Sequence, residues 1–148
     1  MKINECMNQD VCFVKPDCKV YDAARIMNEN HIGCIPICDD EKKVLGVITD
    51  RDIVLRTVAC DKDTKTTPVS EIMTTHVYTC ECEQEVQEAE ELMAKNQIRR
   101  IPIVDSSSKM VGILTTGDLI NNNNLKEQNV AQTMQNICDC NGNIKNCS

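Results

Sequence analysis

Shifted by 66 positions, the chain falls onto itself without a gap. Met7 lands on Met73, Val11 on Val77, Val20 on Val86, Ala23 on Ala89 and Met27 on Met93. The register runs on through Asn30 and Asn96, Ile32 and Ile98, Ile35-Pro36-Ile37 and Ile101-Pro102-Ile103, Gly46 and Gly112, and Thr49 and Thr115, to Asp52 and Asp118. Two copies are too few for a stacked array, which needs three or more units. Each copy alone exposes an apolar sheet face, so the repeat predicts a pseudo-symmetric pair packed face to face around a shared core, with two related clefts at the join.

Within each copy the hydrophobic periods can be read. Val20, Ala23, Ala24, Ile26 and Met27 recur at helical spacing, as do Val86, Ala89, Leu92 and Met93. The Asn30 region or Gly33 ends the first helix. Ile35-Pro36-Ile37-Cys38 then reads as a short strand, Asp39 to Lys42 as a hairpin turn, and Val44 to Thr49 as a buried strand that passes directly into a helix near Asp50. Met110 to Thr115 and a helix from about Thr116 repeat the pattern, and 11–14 and 77–80 supply short leading strands. Each copy is strand, helix, strand, strand, helix. The expected organisation is a first motif over 1–60, a polar linker over 61–68 closed by Pro68, and a second motif over 69–122 that opens with a helical turn. A C-terminal part follows over 123–148: an accessory helix over 125–137 carrying Leu125, Val130, Met134 and Ile137 on one side, then a mobile tail rich in Cys and Asn.

Composition removes several functions. A net charge of −7 and a pI near 4.8 oppose binding to DNA or RNA, whose affinity rests on clustered Lys and Arg. Aromatics are only 2% of the 148 residues, which leaves few platforms for stacking unpaired bases. No stretch reaches the roughly 20 apolar residues of a membrane-spanning helix, and the N-terminus lacks the apolar core of a signal peptide, so the expected location is cytoplasmic. Eleven cysteines are an odd number with no export signal, which favours reduced thiols over a disulfide framework; Cys34 and Cys38 flank an apolar strand, where Cys behaves as a small hydrophobe.

The chemistry concentrates in Gly46-Val47-Ile48-Thr49-Asp50-Arg51-Asp52 and in Gly112-Ile113-Leu114-Thr115-Thr116-Gly117-Asp118. Each is a strand, a Thr, and an Asp three residues on at a helix start. One role for that pattern is a capping box, in which the Thr accepts from a helix N–H and the acid complements the dipole. Its recurrence in both copies, each behind a Gly that permits close backbone approach, points also to a shared ligand geometry. A carboxylate there can accept both hydroxyls of a ribose, while Thr and free helix N–H groups face phosphate oxygens.

The whole pattern, from Ile3 to Ile120, resembles the tandem cystathionine-β-synthase (CBS) domain pair, or Bateman module. Both copies match that family's motif of Gly, apolar residues, Ser or Thr, two variable residues and Asp. The resemblance implies an α/β (α+β) fold of two pseudo-symmetric βαββα motifs packed sheet to sheet, and an adenosyl ligand such as AMP, ADP, ATP or S-adenosylmethionine in clefts between them. It implies that Asp52 and Asp118 hold ribose hydroxyls, with Thr49 and Thr115 beside the phosphate or ribose. Backbone around Val11-Cys12, Val77-Tyr78, Ile35-Pro36 and Ile101-Pro102 would contact the adenine. Arg100 and Arg99, which stand just before Ile101-Pro102 where the first copy has Gly33-Cys34, are assigned to phosphate, and Arg51 is a second candidate; their alternatives are a surface Arg pair and a surface ion pair. Unequal occupancy of the two clefts follows from these differences.

The expected function is a stand-alone regulatory module, homodimeric, that binds an adenine nucleotide as its regulatory ligand. It requires no other cofactor, signals to an unidentified regulated protein by a conformational shift, and has neither a nucleic-acid nor a membrane partner. An enzyme would need Asp52 or Asp118 as base, and neither His31 nor His76 falls beside a nucleophile; His31, near a helix end, suits the C-terminal dipole. A thiol-based metal or redox protein would use Cys80-Glu81-Cys82 or Cys138-Asp139-Cys140 with Cys147, but C-x-C is not the spacing of structural zinc sites.

Overall fold

The computed structural model describes residues 1–122 and Gln135. They divide into two compact units that cut across the sequence repeats. One holds Asp10–Val77 with Ser106–Met110; the other holds Met1–Gln9, Tyr78–Asp105 and the chain from Val111. Each mixes helices with a small sheet in an α+β arrangement.

In the first unit α1, Val20–Asn30, buries Val20, Ala23 and Met27 on one stripe. Its N-cap Lys19 contributes no side-chain bond; the N–H groups of Val20 and Tyr21 donate instead to the carbonyls of Thr67 and Thr64 at 3.0 and 2.9 Å. The polar 61–68 stretch therefore supplies the acceptors that a helix start lacks. His31, not Gly33, closes the helix in a left-handed conformation (φ 53°, ψ 43°), its N–H on the Met27 carbonyl. Strand β1, Cys34–Cys38, is buried throughout and pairs antiparallel with β2, Val44–Thr49, from Cys34 opposite Thr49 to Cys38 opposite Val44. Asp39 shapes the turn by accepting from the N–H groups of Glu41 and Lys43, each at 2.9 Å. Helix α2, Asp50–Ile53, runs into a turn of π-helix over Val54–Val58 that leaves Val54, Leu55 and Val58 exposed.

The second unit repeats this plan. Strand β3, Cys80–Glu81, precedes α3, Val86–Asn96; β4, Arg100–Val104, and β5, Met110–Thr115, follow, and α4, Thr116–Asn121, leaves β5 without a loop. The sheet order is β3-β4-β5. Its core gathers Ile3, Val86, Ala89, Met93, Ile101, Ile103, Leu114 and Leu119.

The leading strands are shorter than the sequence suggests. Val14 alone bridges Ile37 in parallel, and β3 begins only at Cys80, opposite Ile103. The next rung back would need an N–H from Pro36 to the Cys12 carbonyl, or from Pro102 to that of Tyr78, and proline has none to give.

The opposite sheet edges are closed by segments from the other repeat. Thr74 exchanges two 2.9 Å backbone bonds with Val47, and Asn8 exchanges two with Ile113, the same pair shifted by one repeat. This explains the two strand glycines. A Cβ at Gly46 would stand 2.6 Å from the Thr74 carbonyl oxygen, and one at Gly112 would stand 2.9 Å from that of Asn8 and 2.7 Å from Met7 Sδ. The close approach that these glycines permit is made by the chain itself. Apart from Gln135, the accessory helix expected over 125–137 and the tail over 138–148 lie outside the described residues, and none of the described helices is long and apolar enough to cross a membrane.

Candidate functional site

In both units the strand delivers a Thr to the N-cap of the helix behind it. Thr49 Oγ1 accepts from the Asp52 N–H at 3.1 Å, and Asp52 Oδ2 accepts from the Thr49 N–H at 3.0 Å. Thr115 and Asp118 make the same reciprocal pair at 3.2 and 2.8 Å, and the Thr115 hydroxyl also donates to Asp118 Oδ2 at 2.8 Å. Both motifs thus form a capping box, which holds each carboxylate in one orientation at a helix entrance.

Around this shared frame the units differ. Asp52 is 7% exposed. The Thr74 hydroxyl lies 3.3 Å from both its oxygens, and Arg56 Nη1 lies 3.7 Å from Oδ1. That same Nη1 donates to the carbonyls of Ile72 and Met73 at 3.0 and 3.3 Å, so one guanidinium ties α2 to the segment closing the sheet edge. Asp118 is only half-buried, and its hydrogen bonds among the described residues all go to Thr115. The Arg99 carbonyl accepts from the Thr116 N–H at 3.0 Å, which sets the Arg99-Arg100 pair at the mouth of α4; both are exposed, and neither makes an ion pair among the described residues. In the first unit the matching acceptor is the Gly33 carbonyl, on the Asp50 N–H at 3.0 Å.

The other candidates are placed as follows. Arg51 is exposed in α2, with its N–H on Asp50 Oδ1 at 2.8 Å. Ile35 and Pro36 in β1, and Ile101 and Pro102 in β4, are buried, so they can offer a ligand backbone and wall rather than polar side chains. Val11 and Cys12 lead into the Val14 bridge, where the missing proline N–H ends the ladder; Val77 belongs to the first unit and half-buried Tyr78 to the second. Thr74 and Arg56 were not singled out from sequence. Arg56 was legible as the i,i+4 partner of Asp52; Thr74 was not, since its contact depends on the exchanged sheet edge. A groove of about 420 Å³ on the second unit, lined by Thr79, Cys80, Glu88, Leu92 and Lys95 among others, includes none of the candidate nucleotide-binding residues.

Among the described residues no group of three or more His, Cys, Asp and Glu side chains is placed to hold a metal. Cys34, Cys38 and Cys80 are buried thiols; burial pushes the Cys38 thiol up to about 11 and raises that of Cys80, so both stay protonated near neutral pH. His31 is the exposed C-cap of α1 and His76 is exposed. Cys138, Cys140 and Cys147 lie outside the described residues.

Compared with known protein families, residues 3–58 and again 69–123 match the CBS domain. The chain belongs to the CBS domain family. The CBS domain-containing protein YhcV of Bacillus subtilis is 38% identical over 136 residues, 91% of this chain and 94% of that protein. Among solved structures, Hypoxic Response Protein I with two coordinated zinc ions superposes with a TM-score of 0.76 at 31% identity, covering 85% of this chain and 100% of that one. The CBS domain pair of protein MJ0100, solved in complex with 5′-methylthioadenosine and S-adenosyl-L-methionine, gives a TM-score of 0.70 at 28% identity, covering 80% and 92%. The fold is that of a tandem CBS domain pair.

Proposed function

We propose that this CBS pair is a stand-alone sensor that binds an adenosyl ligand, AMP, ADP, ATP or S-adenosylmethionine, at its Thr-x-x-Asp helix entrances and does no chemistry on it. The observation that carries this is the duplicated capping box: two carboxylates held at fixed helix starts, a position from which a carboxylate can accept a ribose diol. The adenosyl ligands of the MJ0100 pair support the ligand class. Arg99 and Arg100, uncommitted beside α4, suit a phosphate, and Arg51 is a second cation for it. The backbone of Val11-Cys12, Val77-Tyr78, Ile35-Pro36 and Ile101-Pro102 suits the adenine.

The same proposal includes self-association. Val54, Leu55 and Val58 in the first unit, and Ile120 at the position matching Val54 in the second, are apolar and between 44% and 66% exposed. A signal to a partner protein requires the ligand to favour one arrangement of the module over another, because equal affinity shifts nothing.

A calorimetric panel of AMP, ADP, ATP, S-adenosylmethionine and NAD tests the ligand class. Ligand at about a hundred times its dissociation constant stabilises the fold by roughly 2.7 kcal/mol, which a thermal shift reads directly. Asp118→Ala is expected to weaken binding by one to two orders of magnitude, the scale of a hydrogen bond to a charged group, about 1.5–3 kcal/mol. Undiminished affinity in that variant refutes the site, and conversion of nucleotide by excess protein refutes the non-catalytic assignment.

A further inference from the structure

The two carboxylates of the repeated motif are not equivalent. Asp52 is 7% exposed and already bonded on both oxygens: Oδ2 takes the Thr49 N–H, the Thr74 hydroxyl reaches both, and Arg56 sits 3.7 Å from Oδ1. Among the described residues the Asp118 carboxylate bonds only to Thr115, through Oδ2, and Asp118 is more exposed. The positions that match Arg56 and Thr74 in the second unit are Asn122 and Asn8, so no guanidinium and no hydroxyl stand there. The Asn122 amide is directed at Met1 Sδ, 3.4 Å away.

The surroundings differ in charge as well. Asp50 follows Thr49 in the first unit, and a Cβ on Gly33 would lie 3.0 Å from its carboxylate, so a second acid lies against the loop where the second unit carries Arg99. At the corresponding point the second unit has Thr116 and two uncommitted arginines. A phosphate meets both Asp50 and Arg51 at the first entrance and the Arg99-Arg100 pair at the second, so it is held more strongly at the second.

Resting on the adenosyl-ligand reading above, we infer that the module has one working ligand site, through Asp118, and that Asp52 is a brace. With Thr74 and Arg56, Asp52 pins the 69–77 segment against the sheet edge of the first unit. To accept a ribose diol, Asp52 would have to give up the Thr74 hydroxyl and its ion-pair contact with Arg56, which no ligand hydroxyl replaces in full, whereas Asp118 offers an oxygen that carries no hydrogen bond among the described residues. Affinity at the Asp52 entrance is therefore on the order of tenfold or more below that at Asp118.

The test is titration calorimetry of the full chain with AMP, ATP and S-adenosylmethionine as probes, on the wild type, Asp118→Asn and Arg56→Gln, with thermal melts of all three. One AMP per chain is expected, lost or weakened at least about tenfold in Asp118→Asn. In Arg56→Gln the melting temperature falls while AMP affinity stays within about twofold, since the brace is structural. Two AMP per chain of similar affinity, a single site that survives Asp118→Asn, or an Arg56→Gln loss as large as that of Asp118→Asn each overturns the inference. If none of the three probes binds the wild type, the adenosyl reading itself has failed. That outcome is told apart from failure of the one-site inference because it appears before any variant is made. Should Arg56→Gln not fold, Thr74→Val opens the same brace and is read the same way.

Discussion

Replacing Gly46 by Ala puts a methyl group where the Thr74 carbonyl oxygen is 2.6 Å and Met73 Sδ 3.0 Å away. The sulfur sits on a flexible side chain and can swing aside. The carbonyl belongs to a backbone segment that must retreat by about 0.8 Å to reach ordinary contact. That retreat stretches the two 2.9 Å bonds between Val47 and Thr74 and carries the Thr74 hydroxyl away from Asp52. Two backbone bonds are worth about 1–3 kcal/mol, and removing a strand Gly returns about 0.5–1 kcal/mol of chain entropy. The expected net loss is about 1–2 kcal/mol, read as a lower urea midpoint at unchanged slope by far-UV circular dichroism. Gly117→Ala is the control of opposite sign: a Cβ there meets only Thr115 Oγ1 at 3.5 Å, and inside α4 it gains up to about 1 kcal/mol of helix propensity. If Gly46→Ala leaves stability within about 0.3 kcal/mol of the wild type, the exchanged segment is not clamped at that edge and the account of the glycine is wrong.

Glu90 is 6% exposed on the buried stripe of α3, its Oε1 has no hydrogen-bond partner among the described residues, and desolvation raises its pKa above the usual carboxylate value. The folded state holds this proton more tightly than the unfolded chain, so the contribution to stability is present below the unfolded pKa and is lost as pH rises through the folded one. Glu90→Met is expected to stabilise the protein at pH 7 by about 1–3 kcal/mol, with most of that gain gone below about pH 4; a gain independent of pH would contradict the buried-charge explanation. Thiol labelling of the native protein at pH 8, mapped by mass spectrometry, is expected to modify exposed Cys12 and Cys60 quickly, and buried Cys34, Cys38 and Cys80 only on unfolding. Labelling of Cys38 at the rate of Cys12 would mean that the core opens far more readily than its packing indicates.

The sequence by itself determined the duplication, the order of strands and helices in each copy, and the Thr49–Asp52 and Thr115–Asp118 capping boxes, because each is written in short-range spacing: period two for strands, 3.6 for helices, three residues for a box. The proline gap after the leading strands was also latent in it, although Pro36 and Pro102 become informative only once their partner across the ladder is known. Only the tertiary structure decided which segment closes which sheet. Residues 1–9 and 69–77 carry the same pattern and could satisfy either edge, so periodicity says that a face is covered but not what covers it. The commitment of Asp52 to Thr74 depends on that long-range choice, and it separates two motifs that look alike along the chain.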